Sequence, residues 1–331
     1  MAARLLLACH AGPGVGLGHL TRCLVAARAL RRSLGASVQL LVQGEPLARD
    51  DLAAFPHRFL PADADLGAAL DAHCQAEAID VLLLDLQPQR VPPGLAQHLR
   101  DWRAAGRRIV AIDGLLAWRP LLDLIFLPAY RFEPPADLAD GAPILFGWDC
   151  LLLDPLPATP ARPPGRNVLA LTGGSDATGL GRHWPAALDA ALPADARLHW
   201  VTGPFSAAPA LPAAPRLAAL VEHHAPAGLG PLMAAADFAV TVFGVSCFEL
   251  LQRGVPTVVF SPYGRKDDAE LAGIAALDIA LVARDEHDAT RQLAALMQDP
   301  ARAAALSRNA RRQLHTPGGE RLARALQDLL P

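Results

Sequence analysis

Residues Gly14–Cys23 read GVGLGHLTRC and directly follow an apolar run, Leu5–Cys9, that has the pattern of a first strand. A glycine-rich turn that feeds a helix presents unpaired backbone N–H groups and the positive end of the helix dipole to an anion. His19 stands at the start of that helix and Arg22 one turn later. An imidazole titrates near neutral pH and can therefore serve as a base. Gly16, Gly18, His19 and Arg22 are thus candidates for holding an anionic or phosphorylated small molecule, with His19 acting on it. The plainer reading of His19 is a capping or packing histidine. Its place after four glycines and one turn before an arginine favours a ligand-facing role.

Three further segments carry polar groups where strands hand over to helices. Leu171–Thr178 reads LTGGSDAT; Gly173 and Gly174 permit close backbone approach, and Ser175 or Asp176 can cap the following helix or face a phosphate. Phe243–Pro256 reads FGVSCFELLQRGVP. Gly244 and Ser246 sit at a helix start that suits a diphosphate, and Glu249 can accept both hydroxyls of a ribose or merely complement the dipole. Pro262–Glu270 reads PYGRKDDAE, either a solvated loop or a place where Arg265 or Lys266 meets phosphate and Asp267, Asp268 or Glu270 meets sugar hydroxyls. Asp85 and Asp113 each end an apolar run and either face a ligand or cap the next turn. The adjacent His223-His224 pair lacks the i, i+4 spacing of a helical metal site.

The elements that must position these groups alternate regularly. Apolar runs at 4–9, 37–42, 81–85, 108–113 and 122–127 are separated by amphipathic stretches at 20–34, 66–76 and 93–105. Continuously apolar strands separated by helices indicate a parallel sheet covered on both faces. A proline-rich stretch, Asp154–Arg166, then reads as a stiff linker. The alternation resumes with strands at 167–171, 197–202, 217–222, 238–242 and 257–260, helices near 181–191 and 246–253, and a largely helical tail from Asp285. The expected organisation is an N-terminal Rossmann-like domain over 1–153, the linker over 154–166, a second Rossmann-like domain over 167–316 and a C-terminal helix over 317–331. Two such domains leave a cleft between them, where ligands of open parallel sheets bind.

The bulk composition narrows the classes. A chain of 331 residues that is 52% hydrophobic and 19% charged supports two buried cores. A net charge of −3 gives no basic footprint for nucleic acid. Five scattered cysteines without a CxxC pair argue for reduced thiols in a cytoplasmic protein and against a structural zinc. The N-terminal apolar run is too short for a signal peptide, and no stretch is long enough to span a bilayer. A nicotinamide-type fingerprint is matched only loosely by Gly12, Gly14 and Gly16–Gly18, and no acidic residue closes the second strand to hold a ribose.

Taken in order, these motifs resemble the GT-B superfamily of nucleotide-sugar enzymes. The likeness is strongest to the group of the pseudaminic-acid-pathway UDP-sugar hydrolase and the spore-coat polysaccharide protein SpsG. The G-x-G-H-x-x-R-C segment of that group is matched by Gly16 to Cys23, its mid-domain aspartate by Asp85, and its I-D-D turn in part by Ile112-Asp113-Gly114. Its G-G-S-D loop is matched by Gly173–Asp176, and its G-x-S-x-x-E…G-x-P segment by Gly244, Ser246, Glu249, Gly254 and Pro256. The resemblance implies an α/β fold of the GT-B type, two Rossmann-like parallel-sheet domains facing each other across a cleft. It implies a nucleotide diphosphate, most often UDP, held by the second domain, with the sugar directed at His19 as general base and with no metal or other cofactor. Leu86 stands where the group carries an aromatic residue and Gly114 where it carries a second aspartate. These differences fall where sugar and acceptor belong. The expected activity is therefore inverting glycosyl transfer to an unidentified acceptor, with water as acceptor (a hydrolase) or catalytically silent nucleotide-sugar binding as the alternatives.

Overall fold

The computed structural model describes residues 2–156, 165–315 and 318–330. The chain divides into two compact units, Met1–Pro155 with Thr316–Pro331, and Leu156–His315. The central residues of the proline-rich linker, 157–164, lie outside the described residues.

In the first unit seven strands form one parallel sheet: β1 (Arg4–Ala11), β2 (Ser37–Gly44), β3 (His57–Leu60), β4 (Val81–Asp85), β5 (Arg108–Ile112), β6 (Leu124–Phe126) and β7 (Ile144–Leu145). Their order is β3-β2-β1-β4-β5-β6-β7. Helices α1 (Gly18–Leu34) and α2 (Asp50–Ala53) cover one face, α3 (Leu66–Glu77) and α4 (Leu95–Ala104) the other. β1 is buried from Leu5 onward because its side chains feed two cores. Leu5, Leu7 and Cys9 pack with Leu20, Leu24 and Leu30 of α1, whereas Leu6 and Ala8 pack with Leu70 of α3 and Leu99 of α4. That two-sided burial is why a parallel strand reads as an unbroken apolar run. Along α1, Leu20, Leu24, Ala27 and Leu30 recur every three or four residues and face the core, and Cys23, Val25, Ala26 and Ala29 are buried beside them, so the helix is covered over more than one face. The helix stops at Gly35, whose φ of 60° is left-handed, and Arg31 and Arg32 complement the dipole in its last turn.

The second unit repeats the plan. Strands β8 (Asn167–Leu171), β9 (Arg197–Thr202), β10 (Ala219–His224), β11 (Phe238–Val242), β12 (Thr257–Phe260) and β13 (Leu281–Val282) form a parallel sheet in the order β10-β9-β8-β11-β12-β13. Its helices are α5 (Trp184–Ala191), α6 (Gly230–Ala235), α7 (Val245–Gln252), α8 (Asp268–Ala276), α9 (Glu286–Leu296) and α10 (Pro300–Gln313). Val168 and Ala170 join Trp184, Trp200 and Phe260 in one core; Leu169 and Leu171 join Met233 and Leu250 in the other. The chain then returns to the first unit as α11 (Gly318–Gln327), where Leu322, Ala323 and Leu326 complete the core under α1. A Cβ at Gly319 would lie 2.6 Å from the Ala29 methyl group, so a bare backbone is what lets the two helices meet.

Both sheets follow the doubly wound order in which the chain starts in the middle and winds outward in both directions. In such sheets the crevice beside the first strand, where the winding reverses, is where ligands bind. In the first unit it lies between β1 and β4, and in the second between β8 and β11.

Several elements differ from the sequence expectation. The run at 122–127 pairs only over β6. The strand expected at 217–222 begins at Ala219, because the Asp189 carboxylate takes the N–H groups of Arg216 and Leu217 out of the ladder. The helix expected near 181–191 begins at Trp184, after a separate 3₁₀ turn over Leu180–Arg182. β3, β7 and β13 are short, and β3 and β7 lie at the edges of the first sheet and β13 at an edge of the second.

Candidate active site

At the β1–β4 crevice the loop after β1 folds back on itself. Gly12 and Gly16 bond to each other across it, with N–O distances of 3.3 and 2.8 Å. Gly14 and Gly16 take φ values of 73° and 79°, a region that favours glycine, so the turn is tight enough to drop the chain into α1 at Gly18. No acidic residue occupies the first turn of α1, and no side chain caps it. His19 and Arg22, three residues apart, share one face of the helix.

That face meets the carboxyl end of β4. Asp85 is fully buried, and its carboxylate accepts three hydrogen bonds: from His19 Nδ1 at 2.6 Å, from Arg22 Nε at 2.9 Å and from Arg22 Nη2 at 2.8 Å. Arg22 Nη2 also reaches Asp113 Oδ2 at 2.9 Å. Asp113 follows β5 at φ 54° and is half-exposed. Thus the structure brings His19, Arg22, Asp85 and Asp113 together, and Asp85 uses its oxygens on His19 and Arg22 rather than on a turn.

The proton on His19 follows from these distances. Nδ1 lies 2.6 Å from a carboxylate oxygen and 2.9 Å from Arg22 Nη2. Two lone pairs cannot approach to 2.6 Å without a proton between them, and the carboxylate has none to give. Nδ1 therefore carries the hydrogen, and in the neutral ring Nε2 keeps its lone pair. Burial would push the Asp85 carboxyl up, but the Arg22 charge, then the hydrogen bonds from His19 and Arg22, hold it below the usual carboxylate range. The imidazole keeps 15% exposure while the carboxylate has none, so a ligand can reach the ring but not the group that orients it.

In the second unit the β8–β11 crevice is flanked by the two loops singled out above. After β8, Gly173 takes φ 86° and is exposed, with Gly174 and Ser175 half-buried beside it. Asp176 does not cap α5. Its two oxygens accept the N–H groups of Leu180 (3.0 Å) and Gly181 (2.8 Å), closing the 3₁₀ turn. After β11, Gly244 precedes α7, whose N-terminus has no side-chain cap and no acidic residue in its first turn. Ser246 is in that turn, and Glu249, the fifth helical residue, lies beyond it. Arg265 and Asp268 pair with each other at 3.1 Å, both exposed. His223 Nε2 meets His199 Nδ1 at 3.0 Å across β9 and β10, stacked ring on ring. All five cysteines are free and buried. Among the described residues no helix is long and apolar enough to cross a membrane.

Sequence reasoning missed His10. It is buried near the end of β1, and its Nδ1 accepts the Gln87 N–H at 3.0 Å. Burial, then the nearby His19, push it down to about 4, so it is neutral at ordinary pH. A polar residue at the carboxyl end of a central buried strand was the available signal.

The sequence matches no protein-family model and no curated protein. Its fold is nevertheless shared. UGT2 of Phytolacca americana, solved with UDP-2fluoro-glucose and pterostilbene, superposes with a TM-score of 0.64 over 99% of both chains at 13% identity. The spinosyn forosaminyltransferase SpnP gives 0.66 over 99% of both chains at 15% identity. A UDP-N-acetylglucosamine 2-epimerase, so described provisionally, from Listeria monocytogenes gives 0.66 over 99% of this chain and 97% of that one at 11% identity. The chain therefore has the GT-B fold, two Rossmann-like parallel-sheet units, the fold of these nucleotide-sugar enzymes.

Proposed function

We propose that this protein is a nucleotide-diphospho-sugar-dependent inverting glycosyltransferase with His19 as its general base. The observation that carries the reading is the 2.6 Å bond from His19 Nδ1 to buried Asp85, which leaves Nε2 as the proton acceptor of a ring that is 15% exposed. An imidazole oriented by a buried carboxylate is the arrangement that takes a proton from a hydroxyl and then stabilises the imidazolium it becomes. The acceptor hydroxyl gives its proton to Nε2, and its oxygen attacks the anomeric carbon. The bond from that carbon to the phosphate oxygen breaks on the opposite face, and the nucleoside diphosphate leaves with the electron pair.

The leaving group is assigned to the second unit. The open N-terminus of α7 at Gly244 and Ser246, together with the Gly173–Gly174 loop, offers backbone N–H groups to a diphosphate. Glu249 on α7 is assigned to the ribose hydroxyls, and UDP is the nucleotide; UGT2, with its bound UDP-2fluoro-glucose, supports that class. The test is UDP release from a panel of UDP-sugars with and without hydroxyl acceptors. Acceptor-dependent release is expected. Equal release in water alone would assign a hydrolase, and no release with UDP still bound would assign a binding protein.

A further inference from the structure

His19 and Asp85 carry the proton transfer, and Arg22 is bound to Asp85, but Asp113 has no part in it so far. Its Oδ2 lies 2.9 Å from Arg22 Nη2, yet Asp85 already grips that guanidinium through Nε at 2.9 Å and Nη2 at 2.8 Å. A guanidinium held by two parallel bonds to a buried carboxylate needs no third partner to fix its position. The backbone is nevertheless strained to bring Asp113 there. Asp113, Gly114 and Leu115 take φ values of 54°, 116° and 56° in succession. Aspartate tolerates the left-handed region, whereas leucine seldom enters it. The turn is held from both sides, because the Asp113 N–H donates to the Phe126 carbonyl at 3.1 Å and Leu115 is buried. Strain of this kind persists where a neighbouring function needs the position.

The contacts of Arg22 Nη2 show what that position supplies. Nη2 carries two hydrogens, and Asp85 Oδ1 and Asp113 Oδ2 accept them. It also lies 2.9 Å from His19 Nδ1, which carries a hydrogen of its own, so two donors face each other. The Arg22 charge therefore sits against the ring that must become an imidazolium. With His19 neutral, Arg22 and Asp85 cancel, and a proton on His19 would leave these three groups at +1. Asp113 brings the set to −1, and the same proton then brings it to zero. Among the described residues, the other titratable groups close by do not take its place. His10 is neutral at ordinary pH. The Cys23 thiol is held well above its ordinary range by its hydrogen bond with Cys9 and by burial. Arg90, which donates to the Pro13 carbonyl at 3.3 Å, adds a further cation.

We propose that Asp113 is a positioning residue for the proton transfer: acting through Arg22, its carboxylate offsets the guanidinium charge and lets His19 hold the proton it takes from a hydroxyl. The part played in transfer rests on the glycosyl-transfer reading; the effect on His19 rests on the charges alone.

Asp113→Asn supplies the test, since asparagine keeps the shape and also tolerates the left-handed turn. Protein carrying carbon-13 at the histidine Cε1 positions is titrated by NMR, and the His19 signal is the one absent from His19→Ala. Asp113 Oδ2 and His19 Nδ1 both lie 2.9 Å from Nη2, which puts them within about 6 Å of each other, where one opposite charge changes proton affinity about tenfold or more. His19 should therefore take up its proton at lower pH in Asp113→Asn, with an affinity about tenfold weaker than in wild type. The kcat for transfer from a UDP-sugar to a hydroxyl acceptor should fall by a similar factor, with the Kd for UDP kept. An unmoved His19 titration overturns the proposal, and so does an unchanged kcat beside a moved one. A moved titration in a protein that transfers from no UDP-sugar upholds the charge balance and overturns the transferase reading instead.

Discussion

Asp85→Asn is the most informative single substitution, because it changes charge and proton position while keeping shape. The carboxylate is fully buried and accepts three hydrogen bonds of 2.6–2.9 Å, two of them from the Arg22 guanidinium. Removing one member of a buried ion pair costs about 3–5 kcal/mol. Arg22 retains Asp113 at 2.9 Å, so the cost should fall near the lower end, about 3 kcal/mol. Asp113 itself is 46% exposed, and Asp113→Asn should cost under about 1 kcal/mol. The effect on chemistry is larger. The amide introduced by Asp85→Asn can donate to Nδ1, which moves the imidazole hydrogen to Nε2 and blocks the base. A wrong tautomer in such a pair lowers kcat by about 10⁴-fold. Urea unfolding of both variants, with initial rates of UDP release, reads the two quantities separately. An Asp85→Asn protein within about 1 kcal/mol of wild type, turning over at a comparable rate, would refute the argument that this carboxylate orients His19.

Two further outcomes follow from the site. Glu249→Ala should weaken UDP binding roughly tenfold to hundredfold, the scale of lost hydrogen bonds to a charged group, and leave kcat at saturating donor largely intact; calorimetric titration with UDP checks it, and an unchanged Kd would remove Glu249 from the ribose site. Acid should destabilise the fold in a defined window. His10 has an ordinary value of 6.5 but about 4 in the fold, so the unfolded chain takes up its proton first. Its contribution is whole above pH 6.5 and is lost as pH falls toward about 4, amounting to about 3 kcal/mol at 1.36 kcal/mol per unit. Asp85, held below its usual range, adds loss in the same direction at still lower pH. Burial also holds His73 and His199 below their ordinary range, so unfolding free energies measured across pH 4–7 should fall more steeply with acid in wild type than in His10→Phe, and equal slopes would contradict the assignment.

The central strands were legible because burial on both faces makes them continuous apolar runs, and a polar residue at such a run's end, as at Asp85, stands out. The Gly16–Cys23 and Gly173–Asp176 segments were legible because the turns after β1 and β8 need glycine or small polar residues next to a long apolar strand. β3, β7 and β13 were not, since two to four residues carry no period. The shift of β10 was hidden because Asp189, some thirty residues upstream, decides where its ladder begins. Asp176 could be placed in a cap but not in the right one, as the 3₁₀ turn over Leu180–Arg182 competes with α5 for its carboxylate. The amphipathic stripe of α11 announces a helix but not that it completes the first unit's core. The pairing of His19 with Asp85 joins positions 66 residues apart, and spacing alone could not supply it.

The account stands or falls on His19→Ala. Turnover of a UDP-sugar with a hydroxyl acceptor and the Kd for UDP should be measured side by side in wild type and variant. The prediction is a loss of about 10²–10⁴-fold in kcat, the scale of a general base, with UDP affinity retained. Unchanged turnover, or a loss that appears wholly in UDP binding, would contradict it.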